Sequence, residues 1–127
     1  MLDGVKQLFC VADDAEITAE CNPASADLEK LQQMRRNGFN RLSIGLQSVH
    51  ERELKLLGRL HSFADFESTF AAARRAGFDN ISVDLMYGIP EQTEQSFIET
   101  LTAITSLGPD HISLYSLKIE ESTPFAA

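Results

Sequence analysis

Several polar residues lie at the ends of short apolar runs, and their types suit the binding of a small polar ligand. Glu20 is suited to a cationic group such as an α-amino group, and Gln47 can bond both a ribose and a carboxylate. Asp84 interrupts an otherwise apolar run, which costs free energy unless its carboxylate is paired or meets a ligand. Arg59 and Lys118 lie just beyond neighbouring runs. The set indicates a small polar ligand, for which a nucleoside-like compound is one option, but identifies no reaction.

Structural roles are open alternatives for the same residues. Asp84 could pair with Arg59 in a structural network or cap a neighbouring loop. Glu20 could anchor the turn that follows it, and a buried Gln47 could simply fill a polar gap. The histidines are too far apart in sequence to form a metal-ligand pair, and the role of His61 is open. The turn of residues 87–90 could cover a bound ligand.

Four short runs have the apolar, β-branched character of buried strands: residues 16–20, 41–47, 81–86 and 112–117. Between them apolar residues recur at helical spacing, and a further short helix is predicted over residues 51–57. Gly38, Gly77 and Gly108 each follow a helical pattern and lead into a strand, as is typical of glycines that end helices. This alternation predicts an α/β fold with parallel (β/α) repeats.

The strand register separates an apolar face from a polar one. Alternate positions of three strands are aliphatic and suit packing against helices: Leu42, Ile44, Leu46, Ile81, Val83, Leu85, Ile112 and Leu114. The intervening positions include serines, Gly45, Gln47 and Asp84, and are too polar for an ordinary core. This second face is typical of the interior of an open or partial barrel, where ligands lie at the C-terminal ends of the strands.

Composition argues against several classes of protein. The 127 residues suit one domain, and a formal charge of −8 disfavours nucleic acid as a general partner. No apolar run approaches the roughly 20 residues that span a bilayer, so no transmembrane segment is expected. The start of the chain has no signal-peptide pattern, so a cytoplasmic location is expected. Cys10 and Cys21 match no zinc motif and are expected to be reduced thiols.

Five stretches of the chain resemble, in order, the radical S-adenosylmethionine (SAM) family: Glu20–Pro23, Asn40–Ser48, Leu57–His61, Val83–Thr93 and Ser113–Phe125. Within that family they are similar to the oxygen-independent coproporphyrinogen III oxidases and their haem-chaperone relatives. Gly58, the stretch Tyr115–Glu120 and the ending Thr123-Pro124-Phe125 are more similar to the haem-chaperone branch than to the oxidase branch.

The resemblance implies a partial TIM-type barrel of six parallel strands with a [4Fe-4S] cluster and SAM, which the family cleaves to a radical. It implies that Glu20, Gln47, Arg59 and Asp84 contact SAM, with a backbone contact near Lys118. It implies haem binding and transfer in porphyrin metabolism for the whole protein, with oxidative decarboxylation of coproporphyrinogen III to protoporphyrinogen IX as the alternative. The implied partners are SAM and a porphyrin or haem.

The family's C-x3-C-x2-C cluster motif and its glycine-rich segment have no counterpart in this sequence. Residues 1–127 are therefore interpreted as about four βα units from the centre of a longer protein, without the cluster-binding part and the C-terminal accessory domain. The piece alone is expected to be inactive. Four strands of six leave exposed edges, which favours edge-to-edge self-association. The alternative of another class is a stand-alone, cluster-free α/β ligand-binding module.

Overall fold

The computed structural model describes residues 2–119 and 121, apart from the Asp3 side chain. Helices and strands alternate along this part of the chain: α1 (Leu2–Leu8), β1 (Thr18–Cys21), α2 (Leu28–Arg36), β2 (Arg41–Gln47), α3 (Glu51–Leu56), α4 (Phe63–Arg75), β3 (Ile81–Tyr87), α5 (Glu94–Leu107) and β4 (His111–Ser116). The strand β2 has the predicted bounds, and the other strands differ from prediction by one or two residues. The Thr123-Pro124-Phe125 end of the last motif lies outside the described residues.

The four strands form one parallel sheet in the order β1-β2-β3-β4, so the order in the sheet equals the order in the chain. The predicted α/β class with parallel repeats is therefore confirmed. Because the strands are parallel, their C-terminal ends lie along a single edge of the sheet. That edge carries the ends of β1, β2 and β3, which the sequence marks as polar.

Side-chain caps fix where the helices that pack on the sheet begin. Ser62 and Asp65 form a reciprocal capping box at the start of α4, and Thr93 and Ser96 form another at the start of α5. At the opposite ends of α2, α4 and α5 the predicted glycine stops have φ angles of 99°, 90° and 65°, in the order Gly38, Gly77 and Gly108.

The core lies between the apolar face of the sheet and the helices. The predicted aliphatic positions of β2 and β3 are fully buried: Leu42, Ile44, Leu46, Ile81, Val83 and Leu85. The helices contribute Leu31, Phe66 and Ile104, also fully buried. In β4, Leu114 was expected to pack on the same face, but it is 49% exposed because β4 is an edge strand that no later helix covers in the described chain.

The helix α1 was not predicted from the sequence. Its apolar residues make little contact with the core: Val5 is 41% exposed and Leu8 is 80% exposed. A helix without a buried stripe gives no strong periodic signal, which explains the omission. Within the described residues, no helix is both long and apolar enough to cross a membrane.

Candidate functional site

Four of the five predicted site residues line a single cavity of about 330 Å³ at the C-terminal edge of the sheet. Glu20 comes from β1, Gln47 from the end of β2, Asp84 from β3, and Arg59 from the loop after α3. Cys21, Asn22, Ser43 and Gly45 complete the lining. The fifth predicted residue, Lys118, is exposed beyond β4 and does not line this cavity.

Asp84 lies near the middle of the sheet, in register with Gly45 on one side and Ser113 on the other. The Ser43 hydroxyl donates to its carboxylate, at 3.0 Å from Oδ1 and 2.9 Å from Oδ2. Within the described residues Asp84 forms no ion pair with Arg59. The structural network considered from the sequence is therefore not formed, and the half-buried carboxylate faces the cavity with one hydroxyl as its partner.

Gln47 occupies a β-bulge at the end of β2. The register passes from Gly45 opposite Asp84 to Gln47 opposite Leu85, so Leu46 is the additional residue of β2. Gln47 has a φ of 77° and is only 7% exposed. A positive φ in a non-glycine residue costs about 1–3 kcal/mol and occurs often at functional sites.

The amide of Gln47 lies directly over the glycine in the cavity. A Cβ atom built on Gly45 would lie 3.1 Å from Gln47 Nε2 and 3.8 Å from Asn22 Oδ1. Gly45 therefore leaves room for the Gln47 amide beside the Asp84 carboxylate. The bulge and the glycine together determine where this amide reaches, and neither effect could be read from period-2 alternation alone.

Arg59, Glu20 and the turn at Asn22 line the same cavity. Arg59 Nη1 lies 3.4 Å from Asn22 Oδ1, and the Arg59 backbone N–H donates to Leu54 O at 2.9 Å as α3 ends. The turn is closed by Ser25, whose N–H and hydroxyl donate to Asn22 O at 3.0 and 2.6 Å. Because this turn is closed without Glu20, the exposed carboxylate of Glu20 is not required to anchor it.

His61 has a structural contact next to the cavity. Its Nε2 lies 3.1 Å from the carbonyl oxygen of Leu46, the additional residue of the bulge. The ring thus ties the loop that carries Arg59 to the strand end that carries Gln47. The sequence left the role of His61 open, and in the structure it contacts the end of β2 and does not line the cavity.

Sequence reasoning missed several residues that build the site. Asn22, Ser43 and Gly45 line the cavity directly. Ser43 occupies a repeated position, five residues after the glycine that ends the preceding helix, and this repeat could have identified it as a partner for Asp84. The equivalent serines of β3 and β4 contact each other instead, with 3.3 Å between the hydroxyls of Ser82 and Ser113.

Glu53 of α3 is a further missed residue, and it is almost completely buried, at 5% exposed. Its carboxylate accepts hydrogen bonds from Ser48 Oγ at 2.6 Å, Ser96 Oγ at 2.7 Å and Gln92 Nε2 at 3.0 Å. Burial alone would raise the pKa of Glu53, but these hydrogen bonds, with His50 nearby, lower that pKa below its usual range. The group is therefore ionised at neutral pH.

Comparison with known proteins identifies the family. The family model described as the radical SAM superfamily matches residues 2–104, which is most of the chain. This chain belongs to the radical SAM superfamily. The parallel sheet with its covering helices is accordingly part of the partial TIM-type barrel of this superfamily.

Similar curated proteins favour one branch of the superfamily. "Heme chaperone HemW" of Escherichia coli (strain K12) is 38% identical over 127 residues, which is 100% of this chain and 34% of that protein. HemW of Bacillus subtilis (strain 168) is 40% identical over 98% of this chain and 33% of its own length. "Radical S-adenosyl methionine domain-containing protein 1, mitochondrial" of Bos taurus is 42% identical over 97% of this chain and 28% of its own length. The chain thus spans about a third of the length of these relatives.

Solved structures agree with the fold. Coproporphyrinogen III oxidase (HemN) from Escherichia coli, a radical SAM enzyme, matches with a TM-score of 0.87 and 32% identity over 95% of this chain and 28% of its own chain. Methylornithine synthase (PylB) matches with a TM-score of 0.77 at 20% identity, over 98% of this chain and 34% of its own, a likeness of fold alone.

The superfamily implies SAM and a [4Fe-4S] cluster, and the residues of this chain fit these two groups unequally. The cavity offers carboxylates, a guanidinium and an amide, which complement the ammonium, carboxylate and hydroxyl groups of SAM. The described residues contain no group of three or more His, Cys, Asp or Glu arranged to hold a metal. Exposed Cys10 and buried Cys21 do not supply the several thiolates that a cluster requires.

Proposed function

We propose that the cavity at the ends of β1, β2 and β3 binds SAM, in a protein of the haem-chaperone branch. The observation that carries this proposal is the convergence of Glu20, Gln47, Arg59 and Asp84 from four separate segments. The described structure pairs none of their charges with one another. Polar groups gathered at a shared cavity without mutual pairing are typical of a ligand site.

Each side chain has a distinct role in this proposal. Glu20 would accept hydrogen bonds from the SAM ammonium, and Arg59 would bind the carboxylate with its planar fork of donors. Asp84 and Gln47 would bind the ribose or other polar groups of the ligand. Near Lys118 the contribution would be a backbone contact, which agrees with the absence of its side chain from the cavity lining.

The whole protein would bind and transfer haem, and it would not decarboxylate a porphyrinogen. Residues 1–127 would be its central part, about four βα units, with the cluster thiolates and any haem ligands supplied elsewhere in a cytoplasmic protein. Oxidative decarboxylation of coproporphyrinogen III is the second candidate, and the TM-score of 0.87 to HemN favours it. Haem titration of the full-length protein and an anaerobic decarboxylation assay distinguish the two functions.

Calorimetric titration of the 127-residue chain with SAM tests the site itself. We expect saturable binding to one site, with weaker binding of adenosine and of methionine because each offers only part of the ligand's polar groups. Arg59→Lys should weaken the affinity about tenfold through loss of the bidentate contact, while Arg36→Lys on the exposed surface of α2 should not. Binding of adenosine or methionine as tightly as SAM would instead favour a stand-alone module for another metabolite.

We also propose that this chain self-associates through the outer edges of its sheet. In the described residues β1 pairs only with β2, and β4 pairs only with β3. Strands with one unpaired edge offer backbone donors and acceptors to another chain.

A further inference from the structure

The carboxylate of Glu53 joins three segments that are distant in sequence. Oε2 accepts from Ser48, the residue after Gln47, and also from Gln92 in the loop after β3. Oε1 accepts from Ser96 in the first turn of α5. Both oxygens are therefore used, and all of the side-chain donors are neutral. Loss of one donor would leave a buried ionised group partly unsatisfied, so the arrangement is sensitive to each contact.

Gln92 extends this network to the turn that follows β3. Its Oε1 accepts from the Gly88 backbone N–H at 2.8 Å, and its Nε2 donates to Met86 O at 3.2 Å. Met86 is two residues beyond Asp84 on the same face of β3. Glu53 thus fixes Gln92, and Gln92 in turn fixes the end of the strand that carries Asp84.

The helix of Glu53 also leads directly to Arg59. The Leu57 backbone N–H donates to Glu53 O at 3.1 Å, and the Arg59 N–H donates to Leu54 O at 2.9 Å. Three of the four side chains proposed to bind SAM therefore come from segments held by one buried carboxylate. Glu53 itself does not line the cavity.

We infer that Glu53 is a positioning residue for SAM binding: through Ser48, Gln92 and its own helix it sets the positions of Gln47, Asp84 and Arg59. The identity of the ligand in this inference rests on the proposed function. The positioning of the three segments by Glu53 does not depend on it. Residues that orient the ligands of metal sites typically change affinity by roughly 10–100-fold when they are replaced, and we expect an effect of similar size here.

Asp110 provides a matched control at the other end of the same sheet. Its carboxylate accepts from the Ile81 backbone N–H at 2.9 Å and lies 2.9 Å from Arg74 Nη2. Like Glu53 it joins segments that are distant in sequence, but it lies before β4 begins, at the end of the sheet opposite the cavity. A general loss of stability should affect both variants, whereas a change in the cavity should affect only one.

The experiment compares Glu53→Gln, Gln92→Ala and Asp110→Asn in the 127-residue chain. Thermal unfolding gives the stability of each variant, and calorimetry gives its affinity for SAM. Backbone NMR shifts and amide hydrogen exchange are recorded without ligand. We expect Glu53→Gln and Gln92→Ala to weaken SAM binding about tenfold or more and Asp110→Asn to leave it unchanged. Glu53→Asp keeps the charge and should restore part of the affinity.

The readouts without ligand separate the inference from the proposed function. We expect Glu53→Gln and Gln92→Ala to speed exchange of the Gly88 amide about tenfold beyond Asp110→Asn at matched stability. Glu53→Gln should also shift the amides of Gln47 and Arg59. The inference would be overturned if Glu53→Gln changed the amide signals only of its immediate hydrogen-bond partners. Unchanged SAM affinity in this variant would also overturn it. If the unaltered chain binds no SAM, titration of the full-length protein with SAM decides the proposed function, and these ligand-free readouts decide the role of Glu53.

Discussion

At the scale of single residues, Asp84 is the cavity residue whose carboxylate comes from a central strand of the sheet. It is half-buried on β3, which pairs with β2 on one side and β4 on the other, and its carboxylate accepts from the Ser43 hydroxyl. A carboxylate in such a place keeps acceptor capacity for a ligand, because one hydroxyl satisfies only part of it. Ligand binding should therefore depend on this carboxylate more strongly than folding does.

Replacement of Asp84 by Asn should weaken SAM binding by about 10–100-fold, because a hydrogen bond to a charged group contributes about 1.5–3 kcal/mol. Titration calorimetry of the variant measures the change. The matched control is Asp79→Asn, which alters an exposed carboxylate just before β3. Equal SAM affinities for Asp84→Asn and the unaltered chain would contradict the assignment of Asp84 to the binding site.

Gly45 allows a second test that acts through the neighbouring amide. A methyl group at this position would approach Gln47 Nε2 at 3.1 Å, and this atom is the end of a flexible side chain. Gly45→Ala should therefore displace the amide and weaken SAM binding severalfold while the unfolding temperature changes little. The control is Gly4→Ala, because an added Cβ there would meet no heavy atom within 4 Å beyond its chain neighbours and its own helix backbone. A large loss of stability with unchanged affinity would contradict this reading of the cavity.

The residue types at the site could be predicted from the sequence, but their mutual contacts could not. Glu20, Gln47 and Asp84 share a cavity because parallel strands end at one edge, and that rule needs only the strand assignments, whereas Arg59 reaches the cavity from the loop after α3. The absence of an Asp84–Arg59 ion pair depends on distances across the cavity. The buried network of Glu53 depends on helix packing that no local pattern encodes.

At the scale of elements, α4 is the helix whose start is most clearly defined by side chains. Ser62 and Asp65 satisfy each other's backbone N–H groups, and Phe66 follows directly into the core. Because an N-cap serine contributes about 1 kcal/mol, it has a measurable share in the stability of the sheet that α4 covers.

Ser62→Ala should lower the free energy of unfolding by about 0.5–2 kcal/mol, since the Asp65 backbone N–H loses its side-chain acceptor. Urea unfolding followed by circular dichroism measures the change. Ser68→Ala is the control, because Ser68 is exposed within the same helix. A destabilisation by Ser68→Ala as large as that by Ser62→Ala would show that the cap is not its cause.

The elements themselves were predictable where their pattern was strong. The strands β2 and β3 are long and aliphatic on one face, and their positions follow from alternation. The bulge in β2 was not predictable, because Leu46 fits the aliphatic alternation although Gln47 then departs from the register. The exposure of Leu114 depends on the absence of a covering helix, which is a property of the sheet and not of β4 itself.

At the scale of the whole molecule, three carboxylates make the stability of the folded state depend on pH. Burial opposes the lowering of the Glu53 pKa, but its hydrogen bonds prevail. Backbone hydrogen bonds lower the pKa of Asp65, through Ser62, and of Asp110, through Ile81. The unfolded chain, with ordinary values of 4.5 for Glu and 3.8 for Asp, therefore binds protons at a higher pH than the folded chain.

Stability from these groups should be fully present above about pH 5 and should fall as the pH decreases toward 3. Urea midpoints across this range measure the decline. The double variant Glu53→Gln/Asp110→Asn should be less stable at neutral pH but should show a flatter dependence on pH. The control Glu67→Gln removes an exposed carboxylate, and a slope flattened as much by this control would contradict the assignment.

The proposed self-association should depend on β4. Sedimentation velocity at increasing concentration should detect dimers or larger species, and Leu114→Lys/Tyr115→Lys should return the chain to monomers because charges on an edge strand oppose pairing. Ile98→Lys, a change at an exposed apolar residue of α5, is the control. A monomer at every concentration in the unaltered chain would contradict the proposal.

The identity of sheet order and chain order also bears on how the molecule is made. The strands β2, β3 and β4 each pair with the strand that directly precedes them in the chain. A nascent chain can thus add β2 to β1, then β3, then β4, in the direction in which the ribosome delivers them. Glu20, Gln47 and Arg59 precede β3 in the chain, so Asp84 is the last of the four proposed SAM-binding side chains to be synthesised. We therefore expect the lining of the cavity to be complete in a nascent chain before β4 is added.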